Sequence, residues 1–427
     1  MVDYEKIIVQ WKEFEIPKAL ERDINVPLKS EFIISIIGPR RAGKTYVCFC
    51  LINDLLKDIP KEHILYLNFE DEKLLGINAE DLDKLLNTFY ELSNTEIKTE
   101  LYLFLDEIQN VKNWDVWTRR IHDMHKNIHL FLTGSSSKLL SKEISTSLRG
   151  RVIPIEIYPL SFKELLKWKK IDYDLKTLSN SNQRFNVKKV FNEYLNEGGY
   201  PALFKSLELK QQILQSYLES IILKDVIERY NIRDFKELKI LSNLLFENVA
   251  KDLSYTKLSN TLSSLGYKLN KKTVIDYISY FEEAYLFFQS LRYEYSLRKQ
   301  LGSIKKVYCI DNGLLNTVSF KFSEDRGRLL ENLVFLELKR RGKKIFYNRD
   351  TYECDFIIQE KDKIVEAVQV TEKFTAENEK RETEGLLEAM RKFNLKEGII
   401  ITLNEEKNIE IENKKIYVQP IWKWLLV

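Results

Sequence analysis

One short run of residues near the amino terminus has the types and spacing needed to hold a phosphate chain. The pattern G-x-x-x-x-G-K-T is matched without a mismatch by Gly38, Pro39, Arg40, Arg41, Ala42, Gly43, Lys44 and Thr45. The two glycines let the backbone curl so that successive amides face a phosphate, and the lysine reaches the β- and γ-phosphates. The threonine hydroxyl is a ligand for Mg²⁺. The loop therefore predicts a binding site for ATP and Mg²⁺.

The residues on both sides of the loop favour the same interpretation. An apolar, β-branched run at 32–37 predicts a buried strand, and residues 46–56 predict a helix. The amino end of that helix would direct the positive end of its dipole at the phosphates. A glycine turn without a ligand is the alternative, and the strand and helix around the loop count against it.

Two adjacent carboxylates lie about sixty residues after the loop. They are Asp106 and Glu107, and they follow a predicted buried strand at 101–105. A strand that ends in two acids fits the second motif of an ATP-hydrolysing site, in which Asp106 holds Mg²⁺ and Glu107 polarises the attacking water. The alternative, in which the acids only cap the next helix, is less consistent with a complete phosphate loop upstream.

A polar segment after another predicted strand, at 128–133, could sense the γ-phosphate. This segment would lie between the phosphate loop and the paired acids if the strands form one parallel sheet. We choose Ser135 as the sensing residue, although the sequence places Thr133 and Ser136 equally well.

An arginine pair before the last predicted strand of this region is a candidate for stabilising transition-state charge. A guanidinium at a subunit boundary can contact the γ-phosphate, and of Arg149 and Arg151 we favour Arg151. The alternative is two surface arginines in a loop. Because such a contact comes from a neighbouring chain, an oligomer is one possible assembly.

The first part of the chain predicts an α/β fold with a parallel sheet. Apolar runs alternate with helical segments, which is the pattern of parallel strands joined by right-handed crossovers. The predicted strands are 32–37, 64–69, 101–105, 128–133 and 152–157.

These motifs, in this order, resemble the predicted AAA+ superfamily ATPases, common in archaea, that carry a C-terminal domain of unknown function. The first half contributes 38–45, N-F-E-D at 68–71, L-D-E-I-Q at 105–109, T-G-S-S-S-K-L-L at 133–140, R-G-R at 149–151 and P-L-S-F-K-E at 159–164. The second half contributes G-G-Y-P at 198–201, Asp225, Y-C-I-D-N-G-L at 308–314 and G-R-L-L-E at 327–331.

The resemblance implies four domains. They are a P-loop ATPase core at 1–165, a helical lid at 166–238, a winged-helix module at 239–320 and a restriction-endonuclease-like α/β domain at 321–427. It also implies that Pro201 lies near the nucleotide at the lid.

The middle of the chain predicts a helix-turn-helix. Residues 160–240 have helical periodicity, and two short helices at 254–262 and 271–281 precede an aromatic, alternating segment at 286–295. Helix-turn-helix followed by a ribbon is the winged-helix order, and the second helix begins with Lys271, Lys272 and Thr273. The interpretation as a DNA-binding module competes with protein contacts or packing onto the ATPase core.

The C-terminal segment predicts a nuclease-like core with an incomplete site. Its helix at 326–341, its strands and a second helix at 377–393 resemble the restriction-endonuclease order, and Glu331 and Asp355 match the two acidic positions. Where that core has a lysine this chain has Gln369, with Ala367 at the preceding acidic position. Glu366 would point to the opposite face unless a bulge intervenes. We favour a degenerate nuclease fold kept for binding or structure.

Composition limits the protein classes. The 427 residues are 44% hydrophobic and 31% charged, which excludes a disordered or collagen-like chain. Four cysteines and four histidines do not suggest a disulfide framework or a zinc site. No apolar run is long enough to cross a bilayer, and no secretory signal is visible, so we expect a cytoplasmic protein without a membrane partner. Residues 285–350 carry fourteen Lys or Arg against seven Asp or Glu, which is typical either of a local anion-binding surface or of a solvated lysine-rich face.

The sequence therefore predicts an ATP-binding and ATP-hydrolysing enzyme that couples its nucleotide state to DNA. Two alternatives stay open: an ATP-gated, structure-specific DNA nuclease, and a nucleotide-switched protein scaffold without nucleic acid. The missing nuclease lysine counts against the first alternative.

Overall fold

The protein folds into two compact units, residues 1–157 and 158–427. The computed structural model describes residues 2–135, 148, 150–178, 181–205, 208–318 and 325–427. In the first unit, five parallel strands form one sheet in the order β2-β3-β4-β1-β5. They are β1 (Ile33–Ile37), β2 (Ile64–Asn68), β3 (Leu101–Asp106), β4 (Ile128–Gly134) and β5 (Val152–Glu156). The predicted parallel α/β core is confirmed.

Helices accompany this sheet within the first unit. They are α1 (Tyr4–Glu13), α2 (Lys44–Leu55), α3 (Ala79–Ser93) and α4 (Trp114–Met124), with 3₁₀ turns at Lys61–His63, Glu72–Leu74 and Ile108–Asn110. The central strands β1 and β3 are buried along their whole length, as continuous apolar runs in a parallel sheet should be. One hydrophobic core from Ile8 to Ile157 holds the unit together.

The second unit begins with helices. They are α5 (Phe162–Trp168), α6 (Gln183–Glu197), α7 (Lys210–Ser220), a π-helical segment at Ile221–Glu228, α8 (Phe235–Glu247), α9 (Tyr255–Ser264), α10 (Lys271–Glu283), α11 (Leu297–Gly302), α12 (Asn312–Val318), α13 (Arg326–Arg340), α14 (Glu379–Lys392) and α15 (Ile421–Trp424), with a 3₁₀ turn at Pro201–Phe204. Several begin with a local cap; in α5, Ser161 and Glu164 form a reciprocal capping box.

A second, mixed sheet of nine strands runs through this unit in the order β13-β14-β12-β11-β10-β9-β7-β8-β6. Its strands are β6 (Asp252–Leu253), β7 (Phe287–Arg292), β8 (Lys305–Cys309), β9 (Lys344–Arg349), β10 (Glu353–Glu360), β11 (Lys363–Val370), β12 (Glu397–Thr402), β13 (Lys407–Ile411) and β14 (Lys414–Pro420).

The three segments predicted as lid, winged-helix module and C-terminal domain are joined by a common sheet and a common hydrophobic core. Strand β7 pairs in parallel with β9, so the sheet crosses the predicted boundary at 320. A single hydrophobic cluster also extends from Tyr158 to Leu426. The predicted domain boundaries therefore stay predictions, and these segments form one packed unit. Among the described residues, no helix combines the length and apolarity needed to cross a bilayer.

Candidate functional site

The glycine-rich loop lies where the sequence predicts, between the carboxyl end of β1 and the start of α2. Gly38 adopts a φ of 150°, and a Cβ built on it would lie 2.1 Å from the backbone oxygen of Ile157. Only glycine fits there, because the loop passes directly over the segment that follows β5. Gly43 caps α2 with a φ of 101° and no side-chain cap, so the first amides of the helix stay available for an anion.

Lys44 is held inside this loop. Its side chain is only 4% exposed, and its Nζ donates to the backbone oxygens of Gly38 at 3.1 Å and Pro39 at 3.2 Å. The same ammonium lies 3.5 Å from Oε1 of Glu107. The loop and the second predicted acid therefore meet at one buried cation.

Asp106 is buried and surrounded by hydroxyl groups. Its carboxylate accepts hydrogen bonds from Thr45 Oγ1 at 2.7 Å, from Tyr66 OH at 2.8 Å and from Thr133 Oγ1. Burial raises the pKa of Asp106, although the three hydroxyl donors act in the opposite direction. Thr45 and Asp106, the two predicted Mg²⁺ ligands, are thus in direct contact.

The donor set around Asp106 fits Mg²⁺. A hydroxyl and a carboxylate are hard oxygen ligands, and Mg²⁺ usually takes one or two carboxylates and completes its shell with phosphate oxygens and water. In the described part of the chain, no group of three or more His, Cys, Asp or Glu side chains could hold a metal ion. The remaining ligands of the ion would be phosphate oxygens and water.

Glu107 lies at a strained position beside Lys44. Its backbone is left-handed, with a φ of 53°, and its amide donates to Thr133 Oγ1 at 2.9 Å. The Nε2 of Gln109 donates to its carboxylate. Burial alone would raise the pKa of Glu107, but Lys44, Gln109 and Arg40 outweigh burial and lower it. These neighbours therefore favour the ionised form of the Glu107 carboxylate.

The segment after β4 contains the candidate sensors. Strand β4 lies between β3 and β1, so its carboxyl end adjoins both the acids and the loop. Thr133, one of the three residues that the sequence could not separate, contacts both Asp106 and Glu107. Ser135 is fully buried directly after the strand. Ser136 lies outside the described residues.

Arg151 lies at the other end of the sheet. Its backbone oxygen accepts from the amide of Ile33, the first residue of β1, whereas the phosphate loop follows the last residue of β1. Five strand residues separate the two ends by about 16 Å. The guanidinium pairs with Asp123 at 2.7 Å and 3.1 Å. Arg151 is therefore not brought to the loop of its own chain; its role in a neighbouring chain stays a prediction, and Arg149 lies outside the described residues.

Several residues near the loop were missed by sequence reasoning. Arg22, from the irregular segment between α1 and β1, donates to the backbone oxygen of Ala42 at 3.0 Å. Tyr66 and Gln109 contact the two acids, and Arg40 in the loop pairs with Glu70 at 2.8 Å. Glu70 and Gln109 belong to short motifs that the sequence offers as signals. The segment around Arg22 has no periodicity or motif that could have identified it.

The predicted lid motif G-G-Y-P packs against another motif of the second unit. The carboxylate of Asp311 accepts from the amides of Gly199 at 2.7 Å and Gly313 at 2.9 Å. A Cβ on Gly199 would lie 2.3 Å from the backbone oxygen of Leu160. The motifs at 198–201 and 308–314 therefore pack against each other, and this close packing explains their glycines and Asp311. Pro201 begins the 3₁₀ turn that follows, and its predicted place near the nucleotide stays a prediction.

The candidate nuclease residues come together, but with a lysine that the sequence analysis missed. Glu331 and Asp355 both contact the Nζ of Lys306, at 2.9 Å and 3.1 Å. Gln369 accepts from the amide of Asp355 at 3.2 Å and donates to Glu382 at 2.9 Å.

Glu366 does not join this group. The register of β10 against β11 shifts directly after the pair of Ile358 with Glu366, whereas the pairing between that point and Phe356 is regular. The bulge therefore does not change the alternation between Glu366 and Gln369. The charged groups that influence its pKa are instead Lys343, Arg341 and Glu360. The opposite orientation that strand alternation predicts for Glu366 agrees with these neighbours.

Three family models match the chain. Residues 30–166 match an AAA domain, while residues 188–325 and 326–424 match two domains of unknown function, DUF8612 and DUF4143. An uncharacterized protein of Methanocaldococcus jannaschii is 41% identical over 425 residues, covering 96% of this chain and 91% of the relative. An uncharacterized protein of Haemophilus influenzae is 34% identical over 402 residues, covering 93% and 95%. A solved Walker-type ATPase of Pyrococcus abyssi aligns with a TM-score of 0.41 and 14% identity, covering 74% of this chain and 96% of that chain.

Proposed function

Because this chain belongs to the same family of AAA-domain proteins as its relatives in Methanocaldococcus jannaschii and Haemophilus influenzae, we propose that it binds and hydrolyses MgATP and couples the nucleotide state to DNA. One observation carries the proposal. The buried ammonium of Lys44 lies 3.5 Å from Glu107, and Thr45 lies 2.7 Å from Asp106. A phosphate-binding cation, a metal-binding pair and a base are thereby assembled around one loop.

Each residue of this group has a distinct task in hydrolysis. The loop amides and Lys44 bind the β- and γ-phosphates. When the nucleotide binds, phosphate oxygens replace the backbone oxygens of Gly38 and Pro39 as acceptors for the Lys44 ammonium. Thr45 and Asp106 hold Mg²⁺, which neutralises charge on the phosphates when bound. Glu107 orients and polarises the attacking water, and Thr133 fixes both acids. Ser135 senses the γ-phosphate, and Arg151 serves the site of a neighbouring chain in an oligomer.

The DNA-binding half of the proposal is supported by the order of elements from α8 to β8. Helix, strand, helix, helix and two strands follow each other, with β6 and β7 both antiparallel to β8. This is the order of a winged helix, in which α10 would be the recognition helix. Lys271 and Lys272 are exposed in its first turn, where the helix dipole also favours a phosphate.

The long connection between β7 and β8 adds further basic surface. Residues 293–304 include the short helix α11, whose Arg298 and Lys299 are both exposed. Tyr295, 78% exposed, lies just before this helix. Basic side chains that bind phosphates and an exposed aromatic ring that can stack on a base are a combination found in nucleic-acid-binding proteins.

The experiment that tests the proposal is ATP turnover measured with and without duplex, single-stranded and branched DNA. We expect turnover that requires Mg²⁺ and that at least one DNA form changes at low salt. The double variant Lys271→Ala/Lys272→Ala should bind DNA more weakly. The slope of the logarithm of its binding constant against the logarithm of the salt concentration should become shallower by about two, because two phosphate contacts are lost. Lys361→Ala/Lys363→Ala removes two exposed lysines of the same unit and is the matched control.

The possible outcomes separate the two halves of the proposal. Absence of turnover with every DNA form contradicts ATP hydrolysis. Turnover that no DNA changes, together with no DNA binding at low ionic strength, contradicts the coupling and leaves the ATPase. Stimulation by a protein partner alone would then favour the nucleotide-switched scaffold.

A further inference from the structure

Lys306 is a buried lysine surrounded by acids. It lies on β8 and is 2% exposed. Its Nζ contacts three carboxylates: Glu353 at 2.6 Å, Glu331 at 2.9 Å and Asp355 at 3.1 Å. Burial alone would lower the pKa of Lys306, but Glu331 and the other acids raise it well above its ordinary value. The surrounding acids therefore favour the charged ammonium form of Lys306.

The lysine and its partners come from different parts of the chain. Lys306 lies within residues 188–325, whereas the three acids lie within residues 326–424, on α13 and β10. Tyr308, two residues further along β8 and thus on the same face, donates to Glu331 at 2.8 Å. Two neighbouring side chains of β8 therefore fasten the two matched regions to each other.

The acids also line a cavity of about 460 Å³. The resemblance to restriction endonucleases implies that such a cavity holds a divalent cation on Glu331 and Asp355. To bind one, these carboxylates would have to direct free oxygens at a common point in the cavity.

The residues present do not fit such a cation. One oxygen each of Glu331, Glu353 and Asp355 faces the ammonium, and the second oxygen of Asp355 accepts from the amide of Val370 at 2.9 Å. Gln369 is occupied by the amide of Asp355 and by Glu382. To admit a divalent cation, the cluster would have to expel an almost fully enclosed ammonium, which repels that cation.

We propose that Lys306 is the built-in cation of this cluster, and that it takes the place of a divalent metal and excludes one. The ammonium lies within hydrogen-bond distance of all three carboxylates, so it supplies the positive charge that a metal ion would otherwise supply. The cavity therefore holds no divalent cation, and the acids that line it hold β8 against α13 and β10.

The test is a titration of the full-length, nucleotide-free protein with Mn²⁺. The electron paramagnetic resonance signal of free Mn²⁺ measures how much of the ion is bound. Wild type and Asp355→Asn should bind Mn²⁺ equally, because the cluster contributes no site. Lys306→Met removes the cation with little change of volume and should bind Mn²⁺ at least about tenfold more tightly than wild type. Lys306→Arg keeps a cation and should resemble wild type.

The comparison also defines the contradicting results. Mn²⁺ binding by wild type that Asp355→Asn abolishes overturns the proposal, and this arm needs no variant of Lys306. If Lys306→Met is folded by circular dichroism and gains no Mn²⁺ site, the proposal is equally overturned, because something other than the lysine then excludes the metal. Gain of a site that the added Asp355→Asn substitution removes supports it.

Discussion

At the scale of single residues, Thr133 links the two acids of the candidate site. Its hydroxyl donates to Asp106 and accepts from the amide of Glu107, which lies in a left-handed conformation. A hydroxyl is needed because the same oxygen must both give and receive a hydrogen bond. In the proposed mechanism, Thr133 therefore sets the position of the acid that holds Mg²⁺ and of the acid that polarises water.

We expect Thr133→Val to lower both stability and turnover. Valine keeps the shape but leaves the buried amide of Glu107 without an acceptor, at a cost of about 1–3 kcal/mol in the free energy of unfolding. Turnover should fall roughly tenfold or more, because both acids lose a positioning contact. Denaturant unfolding and phosphate release measure the two effects.

Thr133→Ser is the matched control for that experiment. Serine retains the hydroxyl and loses only a methyl group, so turnover should stay within a few fold of wild type. Equal loss of turnover in the serine and valine variants would show that packing of the methyl group, and not the hydroxyl, is what matters.

Sequence reasoning identified the residues whose role follows from local spacing. Lys44, Thr45, Asp106 and Glu107 belong to contiguous motifs, and the structure brings them together. Tyr66 could not be identified in this way, because its contact with Asp106 depends on β2 lying beside β3. The same applies to Arg22, whose partner is a backbone oxygen that carries no sequence signal.

At the scale of elements, the G-G-Y-P turn and the loop before α12 form one packed junction. Gly199 lies so close to Leu160 that no side chain fits, and its amide is bound by Asp311. Asp311 is fully buried and also holds the start of α12 through the amide of Gly313. Two motifs far apart in sequence are thereby explained by one tight contact within the second unit.

We expect Gly199→Ala to destabilise the second unit. Its Cβ would lie 2.3 Å from a backbone oxygen that cannot move aside easily, so the free energy of unfolding should fall by about 1–3 kcal/mol. Gly302→Ala is the control, because nothing lies within 4 Å of a Cβ at that position. Thermal unfolding of both variants is the measurement. Unchanged stability with weakened MgATP binding would contradict a packing role and favour the predicted place of this turn near the nucleotide.

Elements with a strong local pattern could be predicted, and those defined by distant pairing could not. The five strands of the first sheet lie within one residue of their predicted positions, because each is an apolar run in the sequence. Four of them are largely buried, and the edge strand β5 is mostly exposed. Strand β8 was missed, since its second residue is Lys306 and its partners β6 and β7 are separated from it along the chain. Missing β8 also hid the lysine that closes the acidic cluster.

At the scale of the whole molecule, the proposed chemistry and the proposed DNA contacts belong to different units. The phosphate loop and both acids lie in residues 1–157, and the basic residues of α10 and α11 lie in residues 158–427. The basic excess of residues 285–350 is likewise confined to the second unit. Coupling between ATP and DNA would therefore have to pass from one compact unit to the other.

The central claim, that Glu107 drives ATP hydrolysis at a loop held by Lys44, is tested most directly by phosphate release from Glu107→Gln at saturating MgATP. Glutamine keeps the shape of the side chain but lacks the negative charge that polarises water. We therefore predict that turnover falls by about 100-fold or more, while MgATP affinity stays close to that of wild type. Lys44→Ala, by contrast, should lose most of the binding itself. Phosphate release by Glu107→Gln at the wild-type rate would contradict the account.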